Sequence, residues 1–203
     1  GNALTIATVG EEPIQHNFIL DDQIRLEDVT GDAADDLIVT EYSGGAHCCF
    51  TTYVYEFIPK LTQRFASLSS NCPGEFKDLN GDAVPEFLTC DDRWAYRYCA
   101  FAASPIPLVV LEYQPGQGYV NASAKFPGQY QERLQRSLAL AETAGDNSPD
   151  DAEGTSKCAV LSLVLDYYSL NDVDSARASF DAYYTYPDAE SFWTEIEATM
   201  SEP

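Results

Sequence analysis

Basic side chains are scarce in this chain. Lys and Arg number 11 against 33 Asp and Glu, a formal net charge of -22. A phosphate backbone is bound by clustered Lys and Arg, and the sequence has no such cluster, so nucleic acid is not an expected partner. Long apolar runs are also missing. The longest candidate, residues 106–111, is strand-sized and broken by Pro107, well short of the ~20 residues a membrane helix needs, so no membrane insertion is expected. Histidine is limited to His16 and His47. Neither lies in a nucleophile motif, and G-x-S-x-G, H-E-x-x-H and phosphate-loop patterns are absent, so no enzyme class is indicated. The adjacent acids Asp21-Asp22 and Asp91-Asp92 read as solvated surface rather than as a glycosidase pair.

The six cysteines, Cys48, Cys49, Cys72, Cys90, Cys99 and Cys158, form no CxxC pair, which removes zinc ribbons and thioredoxin-like motifs. An even count without metal spacing points to disulfides and to a periplasmic or secreted location. The connectivity stays open: Cys48 and Cys49 can pair with each other, Cys90 and Cys99 can bridge within one hairpin, and other cross-links remain. What is present in quantity is core-forming material, with 45% apolar and 12% aromatic residues, ordinary for a folded globular chain.

Laid over itself with an offset of fifty, the sequence repeats. Asp28-Val29-Thr30-Gly31-Asp32-Ala33-Ala34-Asp35-Asp36 falls on Asp78-Leu79-Asn80-Gly81-Asp82-Ala83-Val84-Pro85-Glu86. Asp, Gly, Asp and Ala recur at positions 1, 4, 5 and 6, an acid recurs at position 9, and Cys49 falls on Cys99. Strand-like stretches follow each loop, at 37–40 and 50–58 after the first and at 87–89 and 94–101 after the second. Another pair, 108–113 and 119–120, flanks the turn sequence Gln114-Pro115-Gly116-Gln117-Gly118.

Calcium takes about six to eight oxygen ligands, and a tight turn offering side chains at positions 1, 3, 5 and 9 with a backbone carbonyl at 7 supplies most of them. The first loop offers Asp28, Thr30, Asp32 and Asp36 with the carbonyl of Ala34. The second offers Asp78, Asn80, Asp82 and Glu86 with the carbonyl of Val84. Two Ca2+ sites are expected, the second tighter, because Asn80 is a better ligand than Thr30 and Glu86 reaches further than Asp36. A turn alone needs neither three carboxylates nor the acid at position 9, whose mutual repulsion calls for a cation. An EF-hand is excluded, since Val39 and Thr89 stand where its bidentate Glu belongs.

The pattern D-x-[T/N]-G-D-x-x-x-[D/E] running into a strand resembles the FG-GAP/VCBS repeats of integrin-like β-propellers and of exported bacterial calcium-binding proteins, over roughly residues 25–101. The resemblance implies blade-like sheets. Two repeats, about 25–57 and 75–107, are fewer than a propeller requires. Ala33 and Ala83 occupy position 6, where that family usually has Gly.

Beyond Pro127-Gly128 the apolar period becomes helical, with Tyr130, Leu134, Leu138 and Ala141, followed by an acidic linker at 145–154. Further helices are expected from Ser156 to about 170, from Asn171 to about 184, and from Asp188 with Phe192, Ile196 and Met200 on one face. Tyr167, Ala176, Phe180 and Pro187 have spacing like a tetratricopeptide pair and are read as packing. The fold class is therefore α+β. A β domain with two calcium-loop repeats spans 1–126, and a helical hairpin or bundle spans 127–203. The expected function is an exported module with structural calcium that acts in binding or adhesion toward a protein or glycan ligand. The alternatives are a calcium-dependent hydrolase, or a periplasmic inhibitor or partner protein acting through Gly44-Gly45-Ala46-His47-Cys48-Cys49.

Overall fold

Leu37, Ile38 and Val39 are apolar in succession, which a strand tolerates only when both its faces are covered. In the computed structural model, which describes residues 2–8, 12–18, 24–44, 49–144 and 154–202, both faces are covered. Ile38 joins Val29, Val54, Phe76 and Phe87 in one apolar cluster, while Leu37 and Val39 join Ile6 and Tyr55 in another.

The chain divides into two compact units, one of residues 1–90 and 109–122, the other of residues 91–108 and 123–203. The first is antiparallel β. A hairpin of β1 (Asn2–Ile6) and β2 (Ile14–Phe18) accompanies two four-stranded sheets. One runs β3 (Ile24–Glu27), β4 (Asp36–Tyr42), β5 (Phe50–Glu56), β6 (Thr62–Ala66). The other runs β7 (Glu75–Lys77), β8 (Glu86–Cys90), β9 (Leu108–Gln114), β10 (Gly118–Asn121). Each acidic loop joins the first and second strands of its sheet. The register repeats as well, because Glu27 pairs with Asp36 and Lys77 with Glu86, again fifty apart.

The second unit carries α1 (Gln131–Glu142), α2 (Thr155–Ser169), α3 (Val173–Tyr183) and α4 (Ala189–Met200). Its core gathers Leu161, Val164 and Leu165 of α2, Phe180 of α3, and Phe192 and Ile196 of α4 together with the buried indole of Trp94. Ala176 and Phe180 are fully buried, so the tetratricopeptide-like spacing is packing. None of the described helices is long and apolar enough to cross a membrane.

Several expectations are corrected. Residues 94–101 form turns and the start of a 3-10 helix at Phe101–Ala103, not a strand. Trp94 is drawn into the helical core, and Cys99 is tied to Cys158 of α2, so this stretch cannot lie in a sheet. The third strand of the second sheet is instead β9, and residues 91–108 and 123–126 group with the helices although the sequence pattern set the boundary at 126. Ser156 does not cap α2. It is buried inside the first turn and donates to the Ala144 carbonyl, with Gly154 at the cap position. Helix α3 is capped by Asp172, which accepts from the Ser175 N–H, rather than by Asn171. The linker at 145–153 lies outside the described residues.

Candidate metal centre

Both acidic loops are wound by their own carboxylates, and the winding is the same in each. Asp28 accepts from the N–H groups of Gly31 at 2.7 Å and Ala33 at 2.8 Å. Asp78 accepts from Gly81 at 2.7 Å and Ala83 at 3.1 Å, and also from Asn80. Asp32 accepts from Ala34, and Asp82 from Val84, both at 2.8 Å. The position-9 acid closes each loop: Asp36 accepts from the N–H groups of Val29 and Thr30, and Glu86 from that of Leu79. The chain turns left-handed at position 4, Gly31 and Gly81, and again at position 6, where Ala33 has φ 67° and Ala83 φ 71°. An L residue there is strained by about 1 kcal/mol or more.

Burial splits the acids into two kinds. Asp28, Asp32, Asp78 and Asp82 are solvent-accessible, whereas Asp36 and Glu86 are 1% and 2% exposed. Neither of these two makes an ion pair among the described residues. Burial pushes the Asp36 carboxyl above its usual range, against the opposing pull of the Val29 and Thr30 hydrogen bonds. Asp78 moves the other way, held below the usual carboxylate range chiefly by the Gly81 N–H.

The ten expected ligands therefore lie on two matched loops, with differences in detail. The Thr30 hydroxyl donates to Asp36 at 3.1 Å. The Asn80 amide donates to Asp82 at 3.0 Å and to Glu86 at 3.1 Å, so a neutral NH2 group bridges two carboxylates, and its oxygen accepts from the Asp82 N–H. Among the described residues no three Asp, Glu, His or Cys side chains are gathered at metal-ligating spacing. The donor set is nonetheless wholly oxygen and rich in carboxylate, the chemistry of a hard cation such as calcium.

Two contacts tie the loops into the β unit. A side chain at Gly31 would fall 2.5 Å from a Val84 methyl carbon, so the first loop lies against the second. The Tyr119 hydroxyl donates to the Val29 carbonyl, while its ring packs with Phe65, Phe76 and Phe87. Burial raises this phenol far above its ordinary range. The sequence marked Tyr119 only as part of a strand-like stretch, not as a loop contact, since it stands 90 residues from its partner.

His16 is not free for catalysis. It is buried, with Nδ1 3.0 Å from Glu41 and Nε2 2.9 Å from the Tyr55 hydroxyl, and it joins β2 to β4 and β5. Burial raises the Tyr55 phenol to about 12. His47 and Cys48 lie outside the described residues. Ser43, at the entrance to that loop, exchanges hydrogen bonds with Cys49. Asp91 pairs with Arg93 at 2.7 Å. Disulfides join Cys72 to Cys90 and Cys99 to Cys158, so the Cys90 to Cys99 bridge does not form. Cys49 is also disulfide-bonded, and no described cysteine is free.

Antiparallel sheets followed by a helical unit, with disulfides in both, define an α+β protein of a non-cytoplasmic, oxidising compartment. No protein family profile and no solved structure matches the chain. Over 84 residues it is 29% identical to a probable thylakoid lumen protein of Synechocystis sp., a stretch covering 40% of this chain and 25% of that protein. The match thus takes in about a quarter of that relative's length.

Proposed function

We propose that this chain is an exported calcium-binding module in which two calcium ions are structural, and that it acts in binding or adhesion toward a protein or glycan ligand. The observation that carries the reading is the pair Asp36 and Glu86. Two nearly buried carboxylates stand at equivalent points of two matched loops, and neither has an ion-pair partner among the described residues. A buried, unpaired carboxylate is costly, and a bound cation offsets that cost. Asp28, Thr30, Asp32, Asp36 and the Ala34 carbonyl would hold one ion. Asp78, Asn80, Asp82, Glu86 and the Val84 carbonyl would hold the other.

Calcium supplies charge neutralisation and a fixed set of oxygen contacts, and binding that favours the folded chain adds directly to stability. Each loop runs directly into a strand of a four-stranded sheet, which agrees with the FG-GAP/VCBS resemblance. A periplasmic or secreted setting agrees with the disulfides and with a relative named as a probable thylakoid lumen protein.

Calorimetric titration of calcium into chelator-stripped protein tests the reading. Two ions are expected per chain. Asp32→Ala and Asp82→Ala should each lose one, the tighter site going with Asp82→Ala. Unchanged stoichiometry in both variants would falsify the proposal.

A further inference from the structure

A chain with three acids for every base carries a cavity whose lining reverses that balance. In the helical unit a half-open cavity of about 460 Å³ lies between α1, α2 and the segment after the 3-10 helix. Its only ionisable lining residues are Arg133 and Arg136; no Asp or Glu lines it. The volume falls within the roughly 300–1,000 Å³ of small-molecule sites.

Its walls follow from helical spacing. Arg136 and Leu140 stand one turn apart on α1, and Thr155, Ala159 and Ser162 face them from α2. The α2 residues are small, which leaves the space between the helices open. Pro105, Ile106 and Pro107 form the third wall. The walls are locked by polar contacts: Arg133 donates to the buried Asp166 at 3.0 Å and to the Ile106 carbonyl at 2.9 Å, and Ser137 donates to Asp166 at 2.6 Å. A cavity fixed in this way needs little reordering to receive a ligand.

The two arginines differ in what they have left to offer. Arg133 is committed to Asp166 and Ile106. Arg136 has a side chain 68% exposed, and its contacts are a 3.4 Å bond to the Glu132 carbonyl and a 3.7 Å pairing with the Glu132 carboxylate. An exposed pair four residues apart is worth only about 0.3–0.5 kcal/mol, so a bidentate carboxylate can displace it. No aromatic ring lines the cavity, although 12% of the chain is aromatic, so the apolar part offers aliphatic contact rather than stacking. At physiological ionic strength the remaining acids are screened beyond about 8 Å.

We infer that this cavity binds a small aliphatic monocarboxylate, with Arg136 holding the carboxylate and Leu140, Ala159 and the 105–107 wall receiving the tail. The site is separate from the acidic loops and does not depend on calcium. Calorimetric titration of the full chain in chelator with decanoate and decanol tests it. Decanoate should bind once per chain, with affinity in roughly the micromolar range and about tenfold or more above decanol. Arg136→Glu should weaken decanoate binding about tenfold or more, and Arg136→Lys, which keeps the charge but loses the bidentate fork, should fall between Arg136→Glu and the parent. Ala159→Trp fills the cavity and should abolish binding. Arg136 is on the surface, so its variants fold whether or not Ala159→Trp does, which circular dichroism checks. Absence of saturable binding at about millimolar decanoate, equal affinity for decanol, or Arg136→Glu binding as well as the parent would each overturn the assignment.

Discussion

Ala33 and Ala83 pay conformational strain at the same point of two loops, and the residue they replace in the resembling repeats is the one that avoids it. Each Ala→Gly change should therefore stabilise the protein by about 0.5–1 kcal/mol, the relief of left-handed strain less the added unfolded-state freedom, measured as a shift in urea midpoint. The glycines give the reverse test. Gly81 has open space where a side chain would stand, so Gly81→Ala should cost only the strain, about 1–2 kcal/mol. Gly31→Ala has the same strain and also drives a methyl into Val84, so it should cost clearly more. Equal losses would mean the loops do not touch. Ionisation separates two acids in the same way. The Asp36 carboxyl is raised by burial, so without a cation its contribution is largest at low pH and is lost as pH rises through its folded value. Asp78 is lowered, so its contribution is present above the unfolded carboxylate value of about 3.9 and is lost as pH falls below it. In chelator, the gain in urea midpoint on acidifying from neutral pH toward about 5 should shrink in Asp36→Asn, and the fall below about pH 4 should shrink in Asp78→Asn. Midpoints that track pH identically in both variants would refute this assignment.

Two of the disulfides close different stretches of chain. Cys72 and Cys90 close 18 residues across the β7–β8 hairpin, and Cys99 and Cys158 close 59 residues across the helical unit. By chain entropy, replacing both cysteines of a pair with Ser should cost about 3 kcal/mol for the short closure and about 4 kcal/mol for the long one. Denaturant titration of the two double variants would show a reversed order if local strain decides instead. Legibility in the sequence also followed local spacing. The loops, β4, β5, β8, β9 and the four helices were visible because turn residues, alternation and helical period are encoded within a few neighbours. Strands β1, β2, β6 and β7 were not marked: they are short, and Thr62–Ala66 reads Thr-Gln-Arg-Phe-Ala, with little apolar alternation to find. Residues 94–101 misled because Trp94, Tyr96, Tyr98 and Phe101 have strand composition, while the contacts that decide their fate, to Cys158 and the α2 core, lie about sixty residues on. Separations of 90 and 25 residues likewise hid the contacts of Tyr119 with the first loop and of Glu41 with His16, which act from other elements.

For the molecule as a whole, charge and cross-links make a joint prediction. Seven carboxylates crowd two short loops, Asp28, Asp32, Asp35, Asp36, Asp78, Asp82 and Glu86, within a chain of net charge -22. Chelation of calcium should lower the melting temperature substantially, and the loss should be greater at low salt, where repulsion is less screened. A melting curve that ignores both chelator and calcium would remove the stabilising role given to the ion. Free thiols counted under denaturing, non-reducing conditions should number close to zero in protein made in an oxidising compartment. A further consequence comes from residues 91–108, which leave the β unit after β8 and return at β9. No single cut in the chain yields two complete halves. A fragment ending at 126 keeps every described strand but leaves Trp94 without its apolar neighbours and Cys99 without its partner, while a fragment beginning at 127 lacks an indole buried in its core. Expression of separate pieces should accordingly give one sticky, thiol-bearing product and one poorly packed product, and only a design that ends near residue 122 and replaces 91–107 with a short turn should release the sheets as a clean recombinant reagent.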